Sequence, residues 1–243
     1  YPNLDALPRV PEVALVVLSS KHVMPTLESC ARLGVKAAVV VSAGFAETGP
    51  EGAQVQARMR ELSREKGLVI CGPNSLGIIN FVDKIPLTFG SVIDMEHAPG
   101  GRVGLVSQSG GLLVGLANRA FDAGVGISYG VATGNEADLD LTEALHYLAE
   151  DPHTDVLVAV IESIRNGPRF FSLCDRLMEL KKPLIAYKIA RSELGSAAAL
   201  SHTGALAGSY QALQAVFRQR GVIEARDIDD LFALAGACTA GRL

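Results

Sequence analysis

Short unbroken apolar runs alternate along this chain with longer stretches of mixed character. Val13 to Leu18, Val35 to Val41 and Leu68 to Ile70 are runs of strand length, too short for helices. Between them, Pro25 to Leu33 reads as a helix closed by Gly34, and residues 51–66 read as a charged, surface-facing helix closed by Gly67. The same alternation returns more strongly after residue 102. Strands are expected at 103–106, 125–131, 156–161 and 184–189, with a short one at 222–223. Helices are expected at 112–121, 139–150, 169–181, 211–220 and 227–236. Residues 1–12, with three prolines, form an extended lead-in, and residues 81–101 an irregular connection carrying Pro86, Pro99, Gly100 and Gly101.

Strand-helix alternation of this kind predicts parallel, doubly wound sheets with right-handed crossovers. The fold class is therefore α/β with two such domains. Residues 1–97 form a truncated Rossmann-like domain, and residues 98–243 a flavodoxin-like one. Runs buried on both faces also explain a mean hydropathy of +0.27. The first half has no opening glycine-rich turn and no GxGxxG or Walker A pattern, so it reads as clipped at its beginning.

Ligands of such sheets bind beyond the carboxyl ends of the strands. Small and polar tails fall there: Ser19-Ser20, Ser42-Ala43-Gly44 and Pro73-Asn74-Ser75. Each also fits an ordinary strand-to-helix turn. In the second half, Ser107-Gln108-Ser109-Gly110-Gly111 runs from a strand into a helix start. Free amides and the helix dipole favour an anion there, although a serine N-cap accounts for the same residues. Glu162 ends the most apolar strand, where its carboxylate can orient an imidazole or sit solvated at the start of a loop. His202 lies among small residues in Ser201-His202-Thr203-Gly204-Ala205-Leu206-Ala207-Gly208. If its loop folds back over the strand ends, the ring meets both the turn and Glu162. Nucleophilic nitrogen, orienting acid and anion donors are the parts of phosphoryl transfer through phosphohistidine. A histidine in a small-residue linker is the plainer alternative. His22, His97, His146 and His153 lack such surroundings.

Composition narrows the field. A net charge of -4 argues against a nucleic-acid surface. No apolar run is long enough for a membrane helix and no secretory leader is visible. Cys30, Cys71, Cys174 and Cys238 make no CxxC pair, so no zinc or other metal site is expected, and reduced thiols fit the cytoplasm.

The stretches Gly101 to Gly111, Gly134-Asn135-Glu136-Ala137-Asp138 and Ser201 to Gly208 closely resemble the NDP-forming acyl-CoA synthetases, relatives of the succinyl-CoA synthetase alpha subunit. Ser42 to Glu47 and Cys71 to Gly77 resemble the later part of that family's CoA-binding domain. The resemblance covers essentially the whole chain. It implies a reversible acid–thiol ligase that makes acyl-CoA from a carboxylic acid, CoA and ATP by way of an acyl phosphate and a phosphohistidine. By position it implies His202 as the phosphohistidine, Glu162 as its hydrogen-bond partner, and Ser109, Gly110 and Gly111 as the phosphate turn. Ser42, Gly44, Phe45, Pro73 and Asn74 fall in the CoA site, and Cys71 is a packing residue beside it. ATP with Mg2+ is bound in this family mainly by an ATP-grasp domain or beta-type subunit, which lies outside these residues. The chain is therefore expected to be a fragment or a subunit of an oligomer. The competing reading is a CoA-binding regulatory module of a protein acetyltransferase-type fusion, without ligase activity.

Overall fold

The computed structural model describes residues 1–89, 98–191 and 210–241. Three strands, β1 (Val13–Val16), β2 (Ala37–Val40) and β3 (Val69–Cys71), form a parallel sheet in the order β1-β2-β3. Helix α1 (Ser20–Leu33) connects the first pair and α2 (Pro50–Lys66) the second. Val23, Leu27 and Cys30 repeat at helical spacing and are fully buried, so α1 begins five residues before the expected Pro25 start. Left-handed Gly34 and Gly67 end the two helices, as the sequence predicts.

The second sheet contains β4 (Gly77–Asn80), β5 (Ile85–Thr88), β6 (Gly100–Ser107), β7 (Ile127–Ala132), β8 (Val156–Ile161), β9 (Leu184–Lys188) and β10 (Ile223–Glu224). Their order is β10-β9-β8-β6-β7-β4-β5. The five parallel strands follow the flavodoxin-like order. Helices α3 (Leu113–Asp122), α4 (Leu141–Glu150), α5 (Gly167–Leu180), α6 (Tyr210–Arg220) and α7 (Ile228–Ala240) cover its faces. All six residues of β8 are buried, which is why that strand reads as an unbroken apolar run.

The stretch expected to be irregular is partly a hairpin. β4 pairs antiparallel with both β5 and β7. Strand pairing thus puts residues 77–88 with the second sheet, and the change between sheets falls at residues 72–76. Pro86 is tolerated because β5 is the outermost strand.

Candidate functional site

The carboxyl ends of the two sheets meet through three turns packed backbone against backbone. The first is Gly72-Pro73-Asn74-Ser75, which follows β3 and contains a cis Gly72–Pro73 bond. The second is Ser107 to Gly111 after β6, and the third is Thr133 to Asp138 after β7. A Cβ built on Gly110 would lie 2.1 Å from the Asn74 carbonyl oxygen, and one on Gly134 only 2.3 Å from that of Pro73. Glycine is required at both places because no side chain fits. Backbone bonds close the contact: the Asn135 amide donates to Pro73 O (2.9 Å), and Ala137 to Gly72 O (2.8 Å).

On the first-sheet side, Ser42 accepts from the Leu18 amide (3.1 Å), and its carbonyl accepts from the Asn74 amide (2.9 Å). Gly44 is left-handed and packs on Ser20. Gly44 and Phe45 line a cleft of about 670 Å³ together with Ser20, Lys21, Met24 and Val55. The Phe45 ring itself is fully buried in the core of this half. Pro73 is buried, and left-handed Asn74 donates from Nδ2 to Asn135 Oδ1 (3.3 Å). Ser42, Pro73 and Asn74 therefore belong to one bonded unit, whereas Gly44 and Phe45 border the cleft beside it.

Glu47 holds this unit in shape. Its Oε1 accepts from the Gly44 amide (2.6 Å) and its Oε2 from the Asn135 carboxamide. Burial pushes the Glu47 carboxyl up, but the Gly44 amide, Asn135 and the amides of Glu47 and Phe45 together bring it below its ordinary value of 4.5. A carboxylate depressed in the folded state stabilises the fold above about pH 4.5, and that contribution is lost as pH falls through the folded pKa. Thermal unfolding between about pH 6 and pH 3 is therefore expected to show the wild type losing more stability than Glu47→Gln. Parallel curves for the two proteins would remove Glu47 from this role.

On the second-sheet side, Ser109 precedes a single 3-10 turn, Gly110–Leu112, that runs straight into α3. Ser107 is fully buried and donates to Ser109 O (3.0 Å), whereas Ser109 is half-buried at the turn. Gly111 is exposed, with no atom of the described residues within 4 Å of its Cβ position. Glu162 follows β8 at the same edge and is half-buried. Its amide donates to Gln108 Oε1 (2.6 Å). Lys188, the register partner of Ile161, is buried beside it; burial pushes its ammonium down, and the Glu162 charge partly offsets this. His202 and the stretch around it lie outside the described residues.

Cys71 is buried, its thiol facing the Ala132 carbonyl (3.2 Å). Burial pushes its pKa up to about 12, which fits packing and not nucleophilic attack. Sequence reasoning gave no task to Glu47, Gln56, Gln108, Asn135, Glu136 or Arg165. Glu47, Gln108, Asn135 and Glu136 lie in the stretches that carry the resemblance, but nothing local shows that they pair.

Residues 100–238 match the family described as succinyl-CoA ligase like flavodoxin domain, and residues 1–80 match a CoA binding domain. The chain belongs to the succinyl-CoA ligase-like flavodoxin domain family. Among its relatives, the ADP-forming acetate–CoA ligase I of Archaeoglobus fulgidus is 39% identical over 97% of this chain and 34% of its own length. The alpha subunit of the ADP-forming acetate–CoA ligase II of Pyrococcus furiosus is 38% identical over 98% of this chain and 51% of its own. The dinucleotide forming acetyl-coenzyme A synthetase 1 of Ca. Korarchaeum cryptofilum, solved with phosphate and ADP, superposes with a TM-score of 0.89 at 32% identity. That match covers 98% of this chain and 50% of the solved one. This member of the succinyl-CoA ligase-like family thus spans between a third and a half of these relatives. Among its described residues no helix is long and apolar enough to cross a membrane.

Proposed function

We propose that this chain is the CoA-binding and phosphohistidine-bearing part of an NDP-forming, ADP-producing acyl-CoA synthetase. The overall reaction converts a carboxylic acid, CoA and ATP into acyl-CoA, ADP and phosphate. The observation that carries the reading is the three-turn junction. It brings the CoA-side loop against the Ser107–Gly111 turn with no side chain between them, and Glu162 stands at the same edge. A thiol group entering from one half and a phosphorylated group held by the other have to meet at such a place.

In this reading His202 is the nucleophile that carries the phosphoryl group, and Glu162 orients its ring. Amides at the Ser109–Gly111 turn hold the phosphate, helped by the positive end of α3. Gly44 and the Pro73-Asn74 loop let the CoA chain approach the backbone closely. CoA supplies the thiol that takes the acyl group from acyl phosphate. We assign ATP and its Mg2+ to an ATP-grasp domain or subunit that completes the enzyme, and the whole to the cytoplasm as an oligomer. The acetate–CoA ligases among the relatives favour this over a purely regulatory CoA-binding module.

The test uses the complete enzyme with γ-labelled ATP. Acid-labile, base-stable label on this chain is expected, and it should be discharged by acid plus CoA. Absence of any label, with CoA still bound, would leave the regulatory module as the better reading.

A further inference from the structure

Gln108 sits in the middle of the turn after β6, and the mechanism above gives it no task. Its side chain is only slightly exposed and is satisfied at both ends. The carboxamide oxygen accepts from the amides of Glu162 (2.6 Å) and Ser163 (2.9 Å). The nitrogen donates to Ser163 O (2.8 Å) and to Glu136 Oε1 (2.9 Å). The backbone amide of Gln108 already donates to Val160 O (3.1 Å), which is the last rung between β6 and β8. Beyond that rung the side chain takes over from the ladder and ties down the peptides that follow β8.

Glu136 and the two amides together set which way round Gln108 lies. The Glu136 side chain is 1% exposed and accepts from four donors. Gln108, the Thr133 hydroxyl (3.0 Å) and the Leu141 amide (2.8 Å) share Oε1, and Arg165 Nε reaches Oε2 at 2.6 Å. Four donors converge on the Glu136 carboxyl, and the Glu162 and Ser163 amides need an acceptor, so the Gln108 NH2 faces Glu136 and the carboxamide oxygen faces Glu162. Glu136 itself is a non-glycine residue in left-handed backbone (φ 55°), a conformation that persists only when its surroundings hold it. Arg165 also donates to Asn135 O (2.9 Å) and thereby links this arrangement to the CoA-side loops.

We infer that Gln108 is a positioning residue: oriented by Glu136, it fixes the backbone of Glu162 and so the place of that carboxylate at the sheet edge. The inference rests on the proposed roles of His202 and Glu162. Its effect is therefore read through them.

The measurement is the rate at which label from γ-labelled ATP enters this chain of the complete enzyme, by rapid quench. Gln108→Met keeps length and removes the one oxygen that accepts from both the Glu162 and Ser163 amides. At least tenfold slower labelling is expected, with CoA affinity within about twofold of wild type. In a Glu162→Gln background the same change should slow labelling less than about twofold further, because its target is already disabled. Equal loss in both backgrounds means a general structural role and overturns the inference, as does an unchanged rate in the wild-type background. Gln108→Glu is the second variant, in case Gln108→Met does not fold. It keeps the acceptors but sets a carboxylate against Glu136, so its labelling rate should recover towards wild type as pH is lowered and the pair takes up a proton. A pH response identical to wild type counts against the inference, and failure of both variants to fold assigns Gln108 to stability alone. A wild type that takes up no label removes the underlying reading; a labelled wild type matched by Gln108→Met removes only the inference.

Discussion

His202→Ala is expected to abolish the acid-labile label, and Glu162→Gln to slow its appearance at least tenfold while leaving the fold and CoA binding intact. Glu162 directly follows the fully buried strand β8, at the edge where the Ser107–Gly111 turn begins. Its backbone is bonded to Gln108, and its charge is felt by buried Lys188. A carboxylate so placed can fix an imidazole's tautomer and stabilise the charge it gains on phosphorylation. The described alternatives to His202 are elsewhere. His146 is on α4, with its ring nitrogen at the Arg169 carbonyl (3.4 Å). His153 precedes β8 and so lies at the opposite, amino end of the sheet, and His22 is exposed on α1. Glutamine at 162 keeps size and hydrogen bonding but removes the charge, so the loss falls on rate. Full labelling of His202→Ala, or an unchanged rate in Glu162→Gln, would sink the assignment.

The strands were legible because a parallel strand covered on both faces has no polar positions. β8 is the clearest case, and β6 and β9 follow it. The β4–β5 hairpin was not legible, since four-residue strands with a proline in one give no usable period. Their place is decided by pairing with β7, a contact between residues about 50 apart. The start of helix α1 is hidden in the sequence because Ser19 and Ser20 resemble a turn and Pro25 resembles a first helical position. The Val23-Leu27-Cys30 stripe carries the correct start. At the site, motif residues were visible as motifs, but a polar side chain's partner is set by tertiary approach. Gln56 meets Asn135 and Arg60 meets the Ala137 carbonyl across nearly eighty residues of sequence. No local pattern could join them.

The junction itself makes the strongest stability prediction. Gly134 has φ 60°, and its missing Cβ would stand 2.3 Å from Pro73 O and 2.7 Å from Asn74 O. Both neighbours are backbone, and they belong to the turn that also receives Gly110. Alanine here faces a left-handed conformation costing about 1–3 kcal/mol and a forced backbone shift costing about 1–3 kcal/mol more. Gly134→Ala is therefore expected to lose about 3–5 kcal/mol, a large share of a typical domain's stability. Gly110→Ala, blocked by Asn74 O at 2.1 Å without the left-handed backbone, should lose less. Gly115 is the control: it lies inside α3, with open space at its Cβ position. Gly115→Ala should gain up to about 1 kcal/mol from helix propensity alone. Chemical denaturation of the three variants tests the ranking. Because the clash sits where the loop after β3 meets the turn after β7, any Gly134→Ala protein that still folds should have parted that contact. It should then bind CoA yet fail to discharge label from His202. A Gly134→Ala chain as stable and as active as wild type would mean that the two halves do not need to touch here, and the joint chemistry would have to be sought elsewhere.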